Sequence, residues 1–134
     1  MSSHVENEIV ALHRFFEDWF NARLPQTEDA FKPMDQVMEE EFVIVMPDGR
    51  SVDRNPLLDL LYNAHGKRAG IEIWIEDVKP LIQEGGITVA EYQEWQTEKG
   101  ETTSRVSTVV FRDSPETPNG LSWLRVHETW FNRD

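Results

Sequence analysis

The chain has 134 residues, the length of one domain, and carries 25 Asp and Glu against 13 Lys and Arg, a net charge of −12. That balance repels phosphate backbones and anionic lipid, and Lys67-Arg68 is the one adjacent basic pair, so nucleic-acid and membrane partners are excluded. There is no cysteine, which excludes disulfides, thiolate chemistry and cysteine zinc sites.

Apolar residues make up 39% of the chain, but Trp 5 and Phe 7 suffice for one core. The start, Met1-Ser2-Ser3-His4-Val5-Glu6, has no basic region followed by an apolar run, so no leader is expected. No apolar stretch approaches the roughly 20 residues of a membrane helix. The expectation is a cytoplasmic protein forming a single domain over residues 1–134.

Val5, Ile9, Leu12, Phe16, Trp19 and Phe20 recur at helical spacing and predict a first helix over 5–24, ended by Leu24-Pro25. His13 flanks that stripe and reads as a solvated or capping histidine. Thr27 caps a second helix, with Glu28 and Asp29 in its first turn and Phe31, Met34, Val37 and Met38 buried. Pro33 interrupts or restarts that helix. Glu39-Glu40-Glu41 reads as its solvated end, and Phe42-Val43-Ile44-Val45-Met46 as a buried strand. Pro47-Asp48-Gly49 is a turn. Asp53 caps a third helix with Leu57, Leu60, Leu61 and Ala64 inward and Gly66 as its stop. Ile71, Ile73 and Ile75 alternate with charged residues and Trp74, a half-buried strand that runs on to Ile82 around Pro80.

Two long strand patterns follow, Ile87 to Arg112 with a turn inside it and Leu121 to Phe131. Glu98-Lys99-Gly100-Glu101 punctuates a hairpin. A two-residue turn at Lys99-Gly100 sets Glu94 opposite Arg105, Tyr92 opposite Ser107 and Gln96 opposite Thr103, and pairs opposite charges. Tyr92, Glu94, Gln96, Arg105 and Ser107 then share one face. Gln93, Trp95, Val106, Thr108 and Val110 share the other. In the last strand Leu124, Val126, Glu128 and Trp130 alternate with Trp123, Arg125, His127, Thr129 and Phe131. A glutamate in line with Val126 and Trp130 needs a partner, and Arg105 is the natural one. The candidate cluster is Glu94–Arg105–Glu128.

Helices first and strands later predict an α+β fold. The aromatic helix ending Trp19-Phe20, the run Phe42 to Gly49, the strand end Val109-Val110-Phe111-Arg112-Asp113 and the Trp123-to-Trp130 strand resemble the nuclear transport factor 2-like superfamily. The likeness is to its SnoaL-like branch and to the association domain of calcium/calmodulin-dependent protein kinase II. It implies a cone-shaped curved antiparallel sheet with three N-terminal helices packed on its concave face, the cystatin-like arrangement. In the association domain the last strand carries two histidines one residue apart. Here His127 matches the first and Thr129 stands at the second.

The resemblance puts Tyr92, Glu94, Arg105, Ser107, Glu128 and Trp130 at the mouth of the cone. Two function classes are open. One is a pocket for a small, carboxylate-bearing molecule, or a dimerisation module. The other is a cofactor-independent isomerase, cyclase, dehydratase or hydrolase with Glu128 or Glu94 as general acid/base and Tyr92 as proton donor. Trp95, Val106, Thr108, Trp123 and His127 are the expected homodimer face. His4, His13, His65 and His127 do not fall at metal-ligand spacing, and no phosphate-binding glycine loop is present, so no metal and no cofactor are expected.

Overall fold

Helix α1 (Ser3–Phe20) buries Val5, Ile9, Leu12, Trp19 and Phe20, the stripe its spacing predicts. It stops before Leu24-Pro25 because Ala22 takes a left-handed φ of 57°. Arg23 N–H then reaches Asp18 C=O at 2.9 Å and Ala22 N–H reaches Trp19 C=O at 3.1 Å, the paired closure that satisfies orphan helix carbonyls. The structure is a computed structural model that describes residues 3–131. Met1 and Ser2, where the leader reading begins, and residues 132–134 lie outside them.

Helix α2 (Glu28–Val37) starts at Thr27, whose Oγ1 accepts from Ala30 N–H at 3.1 Å, and continues through Pro33 without interruption. The three glutamates that follow do not form a solvated helix end. They belong to strand β1 (Met38–Val45), where Arg112 binds Glu39 at 2.9 Å from the neighbouring part of the sheet. After the turn, β2 (Ser51–Asp53) is a short edge strand, and α3 (Arg54–Asn63) follows. Its inward residues are Leu57 and Leu58, while Leu60, expected inside, is exposed. Four long strands complete the chain: β3 (Glu72–Glu84), β4 (Ile87–Glu98), β5 (Glu101–Asp113) and β6 (Leu121–Trp130). Bulges on either side of Lys79 and Pro80 let β3 run past the proline.

The strands form one curved, unclosed sheet in the order β2-β1-β6-β5-β4-β3. The four long strands are antiparallel, as expected, and β1 adds to β6 in parallel. Lys99 and Gly100 both have positive φ, 54° and 80°, which a two-residue hairpin of this twist demands. The register is the one that charge pairing predicted: Glu94 faces Arg105 and Tyr92 faces Ser107. The helices cover the concave face, where Trp19, Met34, Phe42, Tyr92, Phe111 and Trp123 are buried.

Trp123 departs from its expected place. Strict alternation puts it on the convex face with His127. However, β6 bulges: Val110 pairs with Arg125 and Phe111 with Trp123, so Leu124 has no partner. The bulge turns Trp123 inward beside Val126. There it is 1% exposed, meets Phe111 edge-on at 4.8 Å, and donates its indole N–H to Glu8 at 2.7 Å. Asn119 also donates to Glu8, at 3.1 Å, although burial still raises the Glu8 pKa. Glu8→Ala is therefore expected to strand two donors and cost about 1–3 kcal/mol, with Glu8→Gln milder because its amide oxygen still accepts. Urea melts of the two variants check this, and equal losses would refute the pairing.

Candidate functional site

The concave faces of β4, β5 and β6 close over α1 to leave a pocket of about 200 Å³. Its walls are apolar: Leu12, Phe16, Phe20, Met34, Phe42, Ile44 and Val126 among them. Its polar groups converge from four elements. Tyr92, Glu94 and Gln96 come from β4, Arg105 from β5, Glu128 from β6 and His13 from α1, with Arg68 reaching in after α3.

His13 is the residue that sequence reasoning misplaced. It is 4% exposed, not solvated. Its Nδ1 lies 2.8 Å from the Ile9 carbonyl, so Nδ1 carries a proton and donates. Its Nε2 lies 3.2 Å from Glu94 Oε1. Burial alone would lower the His13 pKa, but the Glu94 carboxylate facing it raises it above the ordinary value. Burial alone would raise Glu94, yet His13 outweighs it, helped by Arg105 and Gln96, and the pKa falls to about 2. The two form a buried imidazolium–carboxylate pair. The available signal was position: His13 stands four residues after Ile9 and three before Phe16, on the apolar stripe rather than beside it.

Arg105 does not bridge the two glutamates through hydrogen bonds. Its Nη1 donates to Glu128 Oε1 at 3.2 Å, while Glu94 takes its bonds from His13 and from Gln96, whose Nε2 donates at 2.7 Å. Arg105 faces Glu94 across the ladder and acts on it through charge alone. Its Nε–H is buried and has no hydrogen-bond partner among the described residues. Glu128 is 6% exposed, and burial, then the Glu94 charge, push its pKa up to about 7 in spite of Arg105. Burial and the same two carboxylates push the Tyr92 phenol well above its usual range. Two carboxylates on one sheet face thus titrate far apart, because one holds an imidazolium and the other a single long guanidinium bond.

The remaining expected residues are dispersed. Ser107 is buried at the floor opposite Tyr92 and does not line the pocket. Trp130 is 54% exposed at the rim, with the Arg105 guanidinium 4.9 Å above its ring. Trp95, Val106, Thr108 and His127 lie on the convex face. Sequence reasoning did not find Arg68. Its guanidinium donates to Glu98 at 2.7 Å and to the Gln96 side-chain oxygen Oε1 at 3.0 Å, and rests 5.3 Å over the Phe20 ring. A hydrogen-bonded line therefore runs from Arg68 at the throat through Gln96 to Glu94 and His13. Outside the throat a polar cleft continues past Glu98, Thr103 and Trp130. Among the described residues no group of three or more His, Asp or Glu is placed to hold a metal ion, and no helix is long and apolar enough to cross a membrane.

Comparison with known proteins agrees with this architecture. An NTF-2 like protein of unknown function from Pseudomonas aeruginosa superposes with a TM-score of 0.86, at 26% identity, over 96% of this chain and 99% of that one. The hub of calcium/calmodulin-dependent protein kinase II from S. rosetta superposes at 0.60, with 13% identity, over 90% of this chain and 95% of that one. Sucrose-phosphatase 2 of Nicotiana tabacum is 24% identical over 128 residues, 93% of this chain. The chain spans 30% of the length of that curated relative. The pattern of the family described as sucrose-6-phosphate phosphohydrolase C-terminal matches residues 5–132. The chain is a nuclear transport factor 2-like domain and belongs to the sucrose-6-phosphate phosphohydrolase C-terminal family.

Proposed function

We propose that this domain is a binding module whose cone pocket takes a small carboxylate-bearing molecule. The observation that carries the reading is Arg105: a guanidinium on the pocket wall that, among the described residues, has a buried, unpartnered Nε–H and one 3.2 Å bond to a half-neutralised glutamate. A planar carboxylate matches the fork of donors that Arg105 offers. The volume of about 200 Å³ equals roughly seven waters at ~30 Å³ each, room for a short organic acid. A disaccharide would have to extend into the outer cleft, which is why a sugar, the ligand class that the name of the tobacco relative suggests, ranks second. Butyrate and benzoate are expected to raise the melting temperature of the wild type and not of Arg105→Gln. At about 100 times Kd the gain is about 2.7 kcal/mol. A rise with sucrose or sucrose 6-phosphate alone would replace the carboxylate by a sugar, and no rise with any of them would end the pocket reading.

An enzymatic reading draws on a separate observation. Glu128, with its pKa near 7, lies beside the His13–Glu94 pair in an apolar-walled pocket, the condition for general acid/base work without a cofactor.

We further propose that the convex face pairs with a second copy of the chain. Trp74 stacks on Trp95 at 6.1 Å, Phe131 meets Trp95 edge-on, and Leu81 and Ile82 are more than half exposed towards the other end of β3. A dimer is expected in analytical ultracentrifugation at tens of micromolar (roughly the range of ordinary interfaces), and Trp74→Glu is expected to dissociate it. A wild-type monomer at that concentration would refute the pairing.

A further inference from the structure

We propose that a carboxylate enters this pocket together with one proton, and that Glu128 is the residue that holds the proton. The inference rests on the pocket reading above and adds to it the stoichiometry and the residue responsible.

The argument is a count of buried charge. Facing Glu128 are His13 from α1, Tyr92 and Glu94 from β4 and Arg105 from β5. Strand β1 contributes only apolar side chains to the wall, Met38, Phe42 and Ile44, α2 contributes Met34, and α3 contributes Leu57 and Leu61. Arg68 stands at the throat, already held by Glu98 and Gln96. Two cations, His13 and Arg105, therefore balance two carboxylates. A third carboxylate arriving from the ligand would leave a net negative charge in a poorly hydrated space, which is costly unless it is neutralised. Neither cation can answer by gaining charge, so a carboxylate must take up a proton.

Geometry selects which one. Glu94 accepts from two donors, His13 Nε2 at 3.2 Å and Gln96 Nε2 at 2.7 Å, and would lose both bonds' charge assistance on protonation. Among the described residues Glu128 accepts from Arg105 alone, at 3.2 Å. Protonating Glu128 releases Arg105 to present its fork to the ligand. The new Glu128 O–H is then a further donor on the same wall. The near-neutral titration of Glu128 agrees with this choice. The exchange conserves charge: one ligand carboxylate and one solvent proton enter, and the pocket's net charge is unchanged.

The sign of the pH dependence follows. Below the Glu128 value of about 7 the proton is already bound, so uptake is small and affinity is level. Above it each binding event draws one proton from solvent, and affinity falls about tenfold per pH unit.

Isothermal titration of the intact domain with benzoate, at about pH 8 in buffers of different ionisation enthalpy, measures the proton number directly. A value near one is expected for the wild type, against a value near zero with pH-independent affinity for Glu128→Gln. Carboxyl ¹³C NMR of the wild type keeps the proposal testable should that variant not fold. Benzoate should move the Glu128 resonance to its protonated position while Glu94 stays ionised. Binding with a proton number near zero would overturn the inference and leave the pocket reading standing. Uptake of a proton with Glu128 still ionised would overturn it as well. Absence of benzoate and butyrate binding at every pH would remove both.

Discussion

His13→Ala is expected to destabilise the domain by about 3–5 kcal/mol at neutral pH, the usual result of stripping one partner from a buried pair. At about 3–5 °C per kcal/mol for a domain of this size, the melting temperature should fall by roughly 10–25 °C. The variant leaves Glu94 with Gln96 as its one remaining hydrogen-bond donor and Arg105 as a more distant charge. The pH profile separates this from simple loss of packing. In the wild type Glu94 is held at about 2, below its ordinary 4.5, so its contribution is present above pH 4.5 and lost as pH falls towards 2. His13 is raised above its ordinary 6.5, so its contribution is complete below 6.5 and lost as pH rises through its folded value. The pair stabilises most between those limits. Without His13, burial lifts Glu94, which protonates in mild acid, and the deficit shrinks there. Glu94→Gln in the His13→Ala background should restore much of the loss at neutral pH. A deficit that is flat with pH and untouched by the second change would mean that the cavity, not the charge, sets the cost.

Arg105→Ala is expected to show a deficit that grows as pH rises and, unlike that of His13→Ala, goes on growing past neutrality. Glu128 sits at about 7 rather than 4.5. A raised carboxylate costs nothing below its unfolded value and progressively more up to its folded one. Raising the value from 4.5 to about 7 corresponds to roughly 3 kcal/mol, already borne by the wild type above neutrality. Without Arg105 the folded value climbs further, so the loss continues past pH 7 and approaches the 3–5 kcal/mol (roughly) of a broken buried pair. In mild acid Glu128 is neutral in both proteins, and the residual deficit is the guanidinium's packing on Trp130 together with its charge on the still ionised Glu94. Glu128→Gln should abolish the pH dependence of Arg105→Ala, whereas Glu94→Gln should only reduce it, since Glu94 touches Glu128 through charge alone. Thermal melts of the four proteins across about pH 5 to 9 test this. A deficit that falls with rising pH would place the raised carboxylate elsewhere.

The two profiles also bear on function. In the His13–Glu94 pair the carboxylate stays ionised at neutral pH and holds the His13 pKa above its ordinary value. Glu128 is poised near neutrality, and Arg105 gives it one hydrogen bond at 3.2 Å. A binding module and a general acid/base enzyme could each be built on that division.

Local physics in the chain determined much of this arrangement. The first helix, the Thr27 cap, the Lys99-Gly100 hairpin and its register follow from periodicity, capping and turn chemistry, which act over a few residues. That register alone brought Tyr92, Glu94 and Arg105 to one face, since side-chain direction alternates strictly along regular strands. Tertiary structure decided what depends on distant partners. Glu39, Glu40 and Glu41 read as a helix end because strand pairing with β6 and the Arg112 contact lie beyond local reach. Trp123 turned inward because one bulged residue reverses parity, and its polar partner, Glu8, stands over a hundred positions away. His13 looked solvated because its burial comes from the sheet that closes over α1 and its partner is 81 residues later. The central acid–base pair of the pocket was therefore half legible: strand alternation revealed Glu94, and only the packing of α1 into the cone supplied the histidine that keeps it ionised.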